Sequence, residues 1–121
     1  MDKIQNNKQY DLEDRTFKFA YKIRSFVKKL PKSIANREDS CQVVRSSASI
    51  GANYIEANEA LSKKDFVMRI KISRKEAKES RFWLKLLDTG DDDILDKERE
   101  MLFKEATELM MILSAIMRKS T

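Results

Sequence analysis

Histidine is absent from this chain of 121 residues, and cysteine, proline, tryptophan and glycine are scarce. Without histidine, the chain lacks the commonest general base and the commonest metal ligand of proteins. The single cysteine, Cys41, has no partner for an internal disulfide, which fits a reducing compartment. Two glycines and one proline cannot supply the turns that a strand-rich fold needs roughly every 8–12 residues. These shortages favour long helices joined by short connections.

Long apolar runs are lacking as well. No segment approaches the roughly 20 apolar residues that a membrane span requires, and residues 1–10 are polar, unlike a signal peptide. We therefore expect a soluble cytoplasmic protein that does not bind membranes. The length suits one domain, and a hydrophobic fraction of 41% is enough for a core. We predict a flexible lead-in over residues 1–10 and one helical domain over residues 11–121.

Apolar periodicity and helix-ending residues divide this domain into four predicted helices. They run from about Asp11 to Leu30, from about Ile34 to Asn58, from Ser62 to Thr89-Gly90, and from Asp91–Asp93 onward. Pro31 ends the first helix, because the residue before a proline is pushed out of the helical conformation. Short links make successive helices antiparallel. The predicted fold is all-α, an antiparallel up-down-up-down four-helix bundle.

The second predicted helix is apolar on two sides. One stripe consists of Cys41, Val44, Ala48, Gly51, Ala52 and Ile55. The other consists of Val43, Ser47, Ile50, Tyr54 and Ala57. Residues 46–52 are small except for Ile50, which lets neighbouring backbones approach closely. A helix of this kind is either central in the bundle or covered by another subunit.

Positive charge is concentrated on the third predicted helix. Residues 62–87 contain nine Lys/Arg and three Asp/Glu, a net charge of +6, whereas residues 91–119 contain five and eight, a net charge of −3. Six cations of the third helix fall within an arc of roughly 100°. They are Lys64, Lys71, Arg74, Lys78, Arg81 and Lys85. Because cations placed along one side of a helix can follow a phosphate backbone, we predict that these six residues bind nucleic acid.

An ordinary solvated face is the other interpretation of this arc. Charged runs on exposed helices usually serve this role, and Glu76 and Glu79 lie close enough to weaken the positive field. The protein is then a structural or protein-binding adaptor with no nucleic-acid role. An enzyme is disfavoured, because the chain has no histidine, no glycine-rich phosphate loop and no nucleophile with a neighbouring base.

Six polar residues of the second and third helices form a predicted structural network. They are Arg45, Asn53, Glu56, Arg69, Glu76 and Glu79. If the chain reverses near Leu61, Arg69 faces Asn53 and Glu56, and Arg45 faces both other glutamates. We expect salt bridges and hydrogen bonds there, since a partly buried charge needs a partner. A metal or acid–base site is less favoured, because carboxylate metal sites in bundles usually include histidine.

Several short segments resemble a known protein family. They are Leu30-Pro31, Arg45, the stretch Ser49-Ile50-Gly51-Ala52-Asn53-Tyr54-Ile55-Glu56-Ala57, and Ser62-Lys63-Lys64-Asp65-Phe66. Over residues 12–87, the chain resembles the small four-helix bundle proteins encoded in intervening sequences of 23S ribosomal RNA genes. Asn53 and Glu56 match the Asn-x-x-Glu signature of that family, whereas Ala57 replaces a common glycine.

The resemblance implies a four-helix bundle that assembles into a homo-oligomeric ring, with a pentamer favoured. The family that this chain resembles is related to the accessory variability determinant of diversity-generating retroelements. That protein binds a reverse transcriptase and nucleic acid through a basic surface. No enzymatic activity, cofactor or metal comes with the resemblance, and the role of most members is not established. The expected partners are further copies of this chain, RNA and a protein partner.

Overall fold

The computed structural model describes the backbone of residues 2–121 and the side chains of residues 12–121. Helix α1 spans Asp2–Val27, α2 spans Ile34–Asn58, α3 spans Lys63–Leu86 and α4 spans Asp93–Ser120. Across residues 2–121 all regular structure is helical, and the four helices fit a four-helix bundle. None of the described helices is long and apolar enough to cross a membrane. Helix α1 thus begins at Asp2 rather than near Asp11 and ends at Val27 rather than at Leu30, while the predicted flexibility of residues 1–10 stays a prediction.

Capping side chains fix the starts of three helices. The caps are Ser33 for α2, Ser62 for α3 and Asp92 for α4. Each side-chain oxygen accepts a hydrogen bond from a backbone N–H group of the first turn, at distances between 2.9 and 3.1 Å. These bonds satisfy donors that a helix start leaves without an intrahelical partner. The predicted start of α3 at Ser62 is therefore confirmed.

The end of α3 comes earlier than the sequence predicted, at Leu86 rather than at Thr89-Gly90. A contact from α2 explains the difference. The buried Asn36 side chain accepts the N–H of Asp88 at 2.8 Å and donates to its carbonyl oxygen at 2.9 Å. These bonds hold the chain out of the helix, and Gly90, with φ of 67°, then turns it toward α4.

The core lies where all four helices meet. Its fully buried large side chains are Phe19, Ile23 and Phe26 of α1, Val43 and Ile50 of α2, Ile70 and Leu84 of α3, and Leu109 and Leu113 of α4. Buried serines join α2 to α3: the Ser46 and Ser80 hydroxyl oxygens lie 2.8 Å apart, and Ser73 donates to the Ile50 carbonyl at 2.7 Å. Small residues and paired hydroxyls thus bring these two backbones close, and the buried serine hydroxyls are themselves hydrogen-bonded.

Gly51 brings α2 close to α1. A Cβ atom at this position would lie 2.8 Å from the Thr16 Oγ1 atom, closer than carbon and oxygen normally approach. The small residues of the second predicted helix therefore serve close packing on both sides, against α3 through serines and against α1 through Gly51.

Candidate nucleic-acid interface

Four lysines of α3 stand in a line along the helix at a spacing of seven residues. We call Lys64, Lys71, Lys78 and Lys85 the lysine row. Each step is nearly two helical turns, or about 10 Å. All four side chains are exposed, and none forms an ion pair with a carboxylate in the described part of the chain. The row therefore presents uncompensated positive charge to solvent.

The two arginines of the predicted arc are less exposed than the lysine row. Arg74 and Arg81 are both half-buried. The Arg81 guanidinium carbon lies 4.8 Å from the centre of the Phe103 ring, and its Nη1 atom donates to the Met110 sulfur at 3.5 Å. Arg81 is thus packed against α4, and the lysines carry most of the exposed charge.

Phe103 of α4 is a residue that the sequence analysis missed. Besides Arg81, it contacts Lys85, whose Nζ atom lies 5.8 Å from the ring centre. A cation over an aromatic face is attracted by the ring quadrupole. Phe103 lies on another helix, so periodicity within α3 cannot reveal it; the ring is half-buried and extends the basic surface from α3 onto α4.

Three acidic residues of α4 pair with α1 or with the link that follows it, away from the lysine row. Arg15 of α1 lies 2.7 Å from Glu105 and 3.2 Å from Glu108, and Lys29 lies 2.6 Å from Glu98. Hydrogen bonding to Glu105 is the largest cause that raises the pKa of Arg15. The net charge of −3 over residues 91–119 is therefore partly neutralised on the flank that faces α1.

The predicted polar network forms only in part. Arg69 donates to the Asn53 side-chain oxygen at 3.1 Å, as expected. Glu56 is exposed and pairs with no cation among residues 12–121. Arg45 is also exposed and donates to Gln42 one turn earlier on its own helix. A neighbour three residues away is within easy reach of a long side chain, so the arginine bonds there.

The expected salt bridges of Arg45 with Glu76 and Glu79 do not form among residues 12–121, although Arg45 lies close enough to act on the charge of Glu76. The Oε1 atom of Glu76 is buried and has no hydrogen-bond partner among the described residues. Burial, and secondly the neighbouring Glu79, raises the pKa of Glu76 against the opposing charges of Lys75 and Arg45. Among the described residues, no cluster of His, Cys, Asp and Glu is arranged to hold a metal ion.

An apolar groove lies between α1 and α2. It has a volume of about 400 Å³, and Ala48, Gly51 and Ala52 of α2 line it. Two aromatic residues of α1 and one isoleucine of α2 stand at its rim: Phe17 is 67% exposed, Tyr21 64% and Ile55 49%. These α2 residues belong to the first apolar stripe of the sequence analysis, whereas the second stripe faces the core.

A second apolar surface lies on α3. Met68, Phe82 and Leu86 are all exposed, and the Phe82 ring packs edge-on against Trp83 with the ring centres 5.0 Å apart. The chain by itself therefore leaves apolar side chains uncovered on two different faces of the bundle, one at the α1–α2 groove and one on α3.

This chain is similar to known proteins over most of its length. The family model described as 23S rRNA-intervening sequence protein matches residues 8–115. The fold is also similar to a crystal structure from Bacteroides thetaiotaomicron, described as a protein with unknown function from the S23 ribosomal protein family. The two share 31% sequence identity with a TM-score of 0.73, over 88% of this chain and 97% of that one. No curated protein matches this chain.

Proposed function

We propose that this chain, which belongs to the family of 23S rRNA-intervening sequence proteins, is a non-enzymatic, homo-oligomeric module that binds RNA or an RNA–protein complex. The solved relative is itself described as a protein of unknown function, so the proposal rests on the residues of this chain. The contact surface is the lysine row of α3, with Arg74 at its side.

The lysine row is the observation that carries the proposal. Its four ammonium groups are exposed and unpaired within the described residues, whereas Arg15 and Lys29 neutralise carboxylates of α4 on another flank. Lysines spaced along a rigid helix meet successive phosphates and release the counterions bound to them. Phosphate contacts position a nucleic acid but do not read its sequence. We therefore expect shape-dependent binding that weakens steeply with salt.

The proposed bundle has the antiparallel up-down-up-down order. Contacts between α2 and α3 support it: Ser73 of α3 bonds to Ile50 of α2, and Ser80, further along α3, bonds to Ser46, earlier in α2. Such descending pairs are those of helices that run in opposite directions. The short links between helices favour the same order for the whole bundle.

The proposed assembly is a ring, with five copies favoured by the family resemblance. In a cyclic assembly each interface joins two different surfaces of the same chain. The α1–α2 groove and the apolar surface of α3 supply two such surfaces. A ring would repeat the lysine row around its circumference and multiply weak phosphate contacts. We place this assembly in the cytoplasm, where a single unpaired cysteine is stable.

The test is a titration of a labelled structured RNA at several salt concentrations. The variant Lys71→Glu/Lys78→Glu/Lys85→Glu reverses three exposed charges of the row. We expect wild-type affinity to fall steeply with salt, and the folded variant to lose binding even at low salt, because repulsion replaces phosphate contacts.

A matched control reverses three exposed cations near the α1–α2 link, Lys28, Lys32 and Arg37, with the same change in net charge. We expect this control to keep most of its affinity. An equal loss in both variants would indicate attraction by net charge alone and would contradict a defined surface. Absence of wild-type binding at low salt would contradict the RNA proposal and would favour the adaptor interpretation.

A further inference from the structure

We infer that the Phe103 ring is a stacking platform for an unpaired RNA base, with Lys85 and Lys104 holding the adjoining phosphates. This inference rests on the proposed function and adds to it a second helix and a preference for single strands. The ring lies beyond the lysine row, on α4, and Lys85 belongs to both sites. A phosphate backbone that follows the row therefore brings its bases to Phe103.

The surroundings of the ring form a shallow pocket of about 730 Å³. Lys85, Arg99 and Lys104 contribute three cations to its lining, against the single carboxylate of Glu100. Arg99 is already engaged, because it donates to the Leu87 carbonyl and to the Asp96 carboxylate. The two lysines are exposed and form no ion pair within residues 12–121. The pocket thus combines an aromatic ring with two cations available to an anion.

Arg81 holds the ring in place from within the bundle. Its guanidinium lies over Phe103 and is itself fixed by the Met110 sulfur. A ring that is already ordered loses little side-chain entropy when a base stacks on it, so binding is stronger than on a mobile ring. Arg81 therefore acts as a positioning residue for Phe103, and Lys85 and Lys104 make the phosphate contacts.

An unpaired nucleotide fits this chemistry better than a duplex. Its base has two open faces, either of which can stack on an aromatic side chain. Duplex bases are already stacked on their neighbours and cannot reach a ring on the protein surface. Duplex RNA offers the row its phosphates but leaves the Phe103 pocket unused.

The experiment compares a short single-stranded oligoribonucleotide, the same strand in a duplex, and a strand of equal length with abasic sites. For wild type we expect the abasic strand to bind roughly tenfold more weakly than the intact strand. Phe103→Leu should lose that difference and leave duplex binding and the salt dependence unchanged, while Phe103→Tyr, which keeps the ring, should retain it.

Met111→Leu is the matched control, because Met111 is an exposed apolar residue of α4 that lies outside the Phe103 pocket and outside both proposed assembly surfaces. It should bind all three RNAs as wild type does. Equal wild-type binding of intact and abasic strands would overturn the inference even if Phe103→Leu failed to fold, and so would a full effect of Met111→Leu. In both cases salt-dependent binding would leave the proposed function standing. No wild-type binding to any RNA would overturn both.

Discussion

The α1–α2 groove and the lysine row are both exposed, yet they differ in every property that decides what binds. The groove is built from small residues and has Phe17, Tyr21 and Ile55 at its rim, so its attraction comes from apolar area and is insensitive to salt. The row carries unpaired charge, so its attraction falls with ionic strength. We therefore expect substitutions in the groove to affect the proposed self-association and substitutions in the row to affect the proposed nucleic-acid binding, each without the other.

Charges placed in the groove should have the largest effect. We expect Phe17→Glu/Ile55→Glu to weaken self-association by roughly a thousandfold, because a buried unpaired charge costs several kcal/mol. Sedimentation velocity would show the mass falling to that of one chain, with helical content unchanged. Ile94→Glu is the control, since this residue is 77% exposed at the start of α4 and does not line the groove. An unchanged mass in the double variant would show that the groove is not an interface.

The side chain of Asn36 joins the α1–α2 link to the α3–α4 link. It bonds to the backbone of Asp88 and donates to the Pro31 carbonyl at 2.8 Å. Asn36→Ala leaves these buried backbone groups unpaired and should lower the free energy of unfolding by roughly 2–3 kcal/mol in urea denaturation. Asn58→Ala, which removes one half-buried bond to Glu13, should cost about 1 kcal/mol or less. Equal losses would contradict the bridging role of Asn36.

A single substitution in the row should act only on nucleic-acid binding. Lys78→Gln removes one phosphate contact, so the slope of log affinity against log salt should fall by about one and the affinity several-fold. Mass and unfolding free energy should stay at the wild-type values. A change in oligomeric mass would show that the two surfaces are not separate.

Substitution of Glu76 should have the smallest effect, and it should change only the free energy of unfolding. Burial raises the pKa of its carboxyl, so the ionised form is disfavoured in the folded chain and costs stability above that pKa. Glu76→Gln should therefore stabilise the protein at pH 7 by a few tenths of a kcal/mol, a small value because solvent screens a half-exposed charge. The gain in stability should vanish once the pH falls below 4.5, the ordinary pKa of a glutamate carboxyl. Urea denaturation at several pH values tests this, with Glu56→Gln as an exposed control; a gain that persists at low pH would contradict it.

The helices and the cation arc could be predicted from the sequence because both depend on local periodicity. Ser62 marks the start of α3, and a repeat near 3.6 residues sorts each helix into faces. Pro31 marks the end of α1 only approximately, because the helix ends at Val27. The Arg69–Asn53 bond was also predictable, because a short link near Leu61 fixes the facing register.

Contacts that depend on how separate helices are rotated against each other could not be predicted from the sequence. Arg15 and Glu105 are 90 positions apart, and nothing local shows that α4 turns its acidic flank to α1. Arg81 and Phe103 meet across α3 and α4 for the same reason. The early end of α3 depends on Asn36, whose bonds to Asp88 span 52 positions. Where a side chain has several partners within reach, as Arg45 does, packing rather than residue spacing decides which partner it bonds.

The lysine row does not run parallel to the axis of α3. Seven residues are slightly less than two helical turns, so each step rotates the row by about 20°. Lys64 and Lys85 consequently point in directions that differ by about 60°, and only the Lys85 end comes within 5.8 Å of Phe103. The row is a shallow left-handed spiral with an aromatic group at one end. A bound strand would meet different chemistry at its two ends, so the surface has a polarity that distinguishes one strand direction from the other.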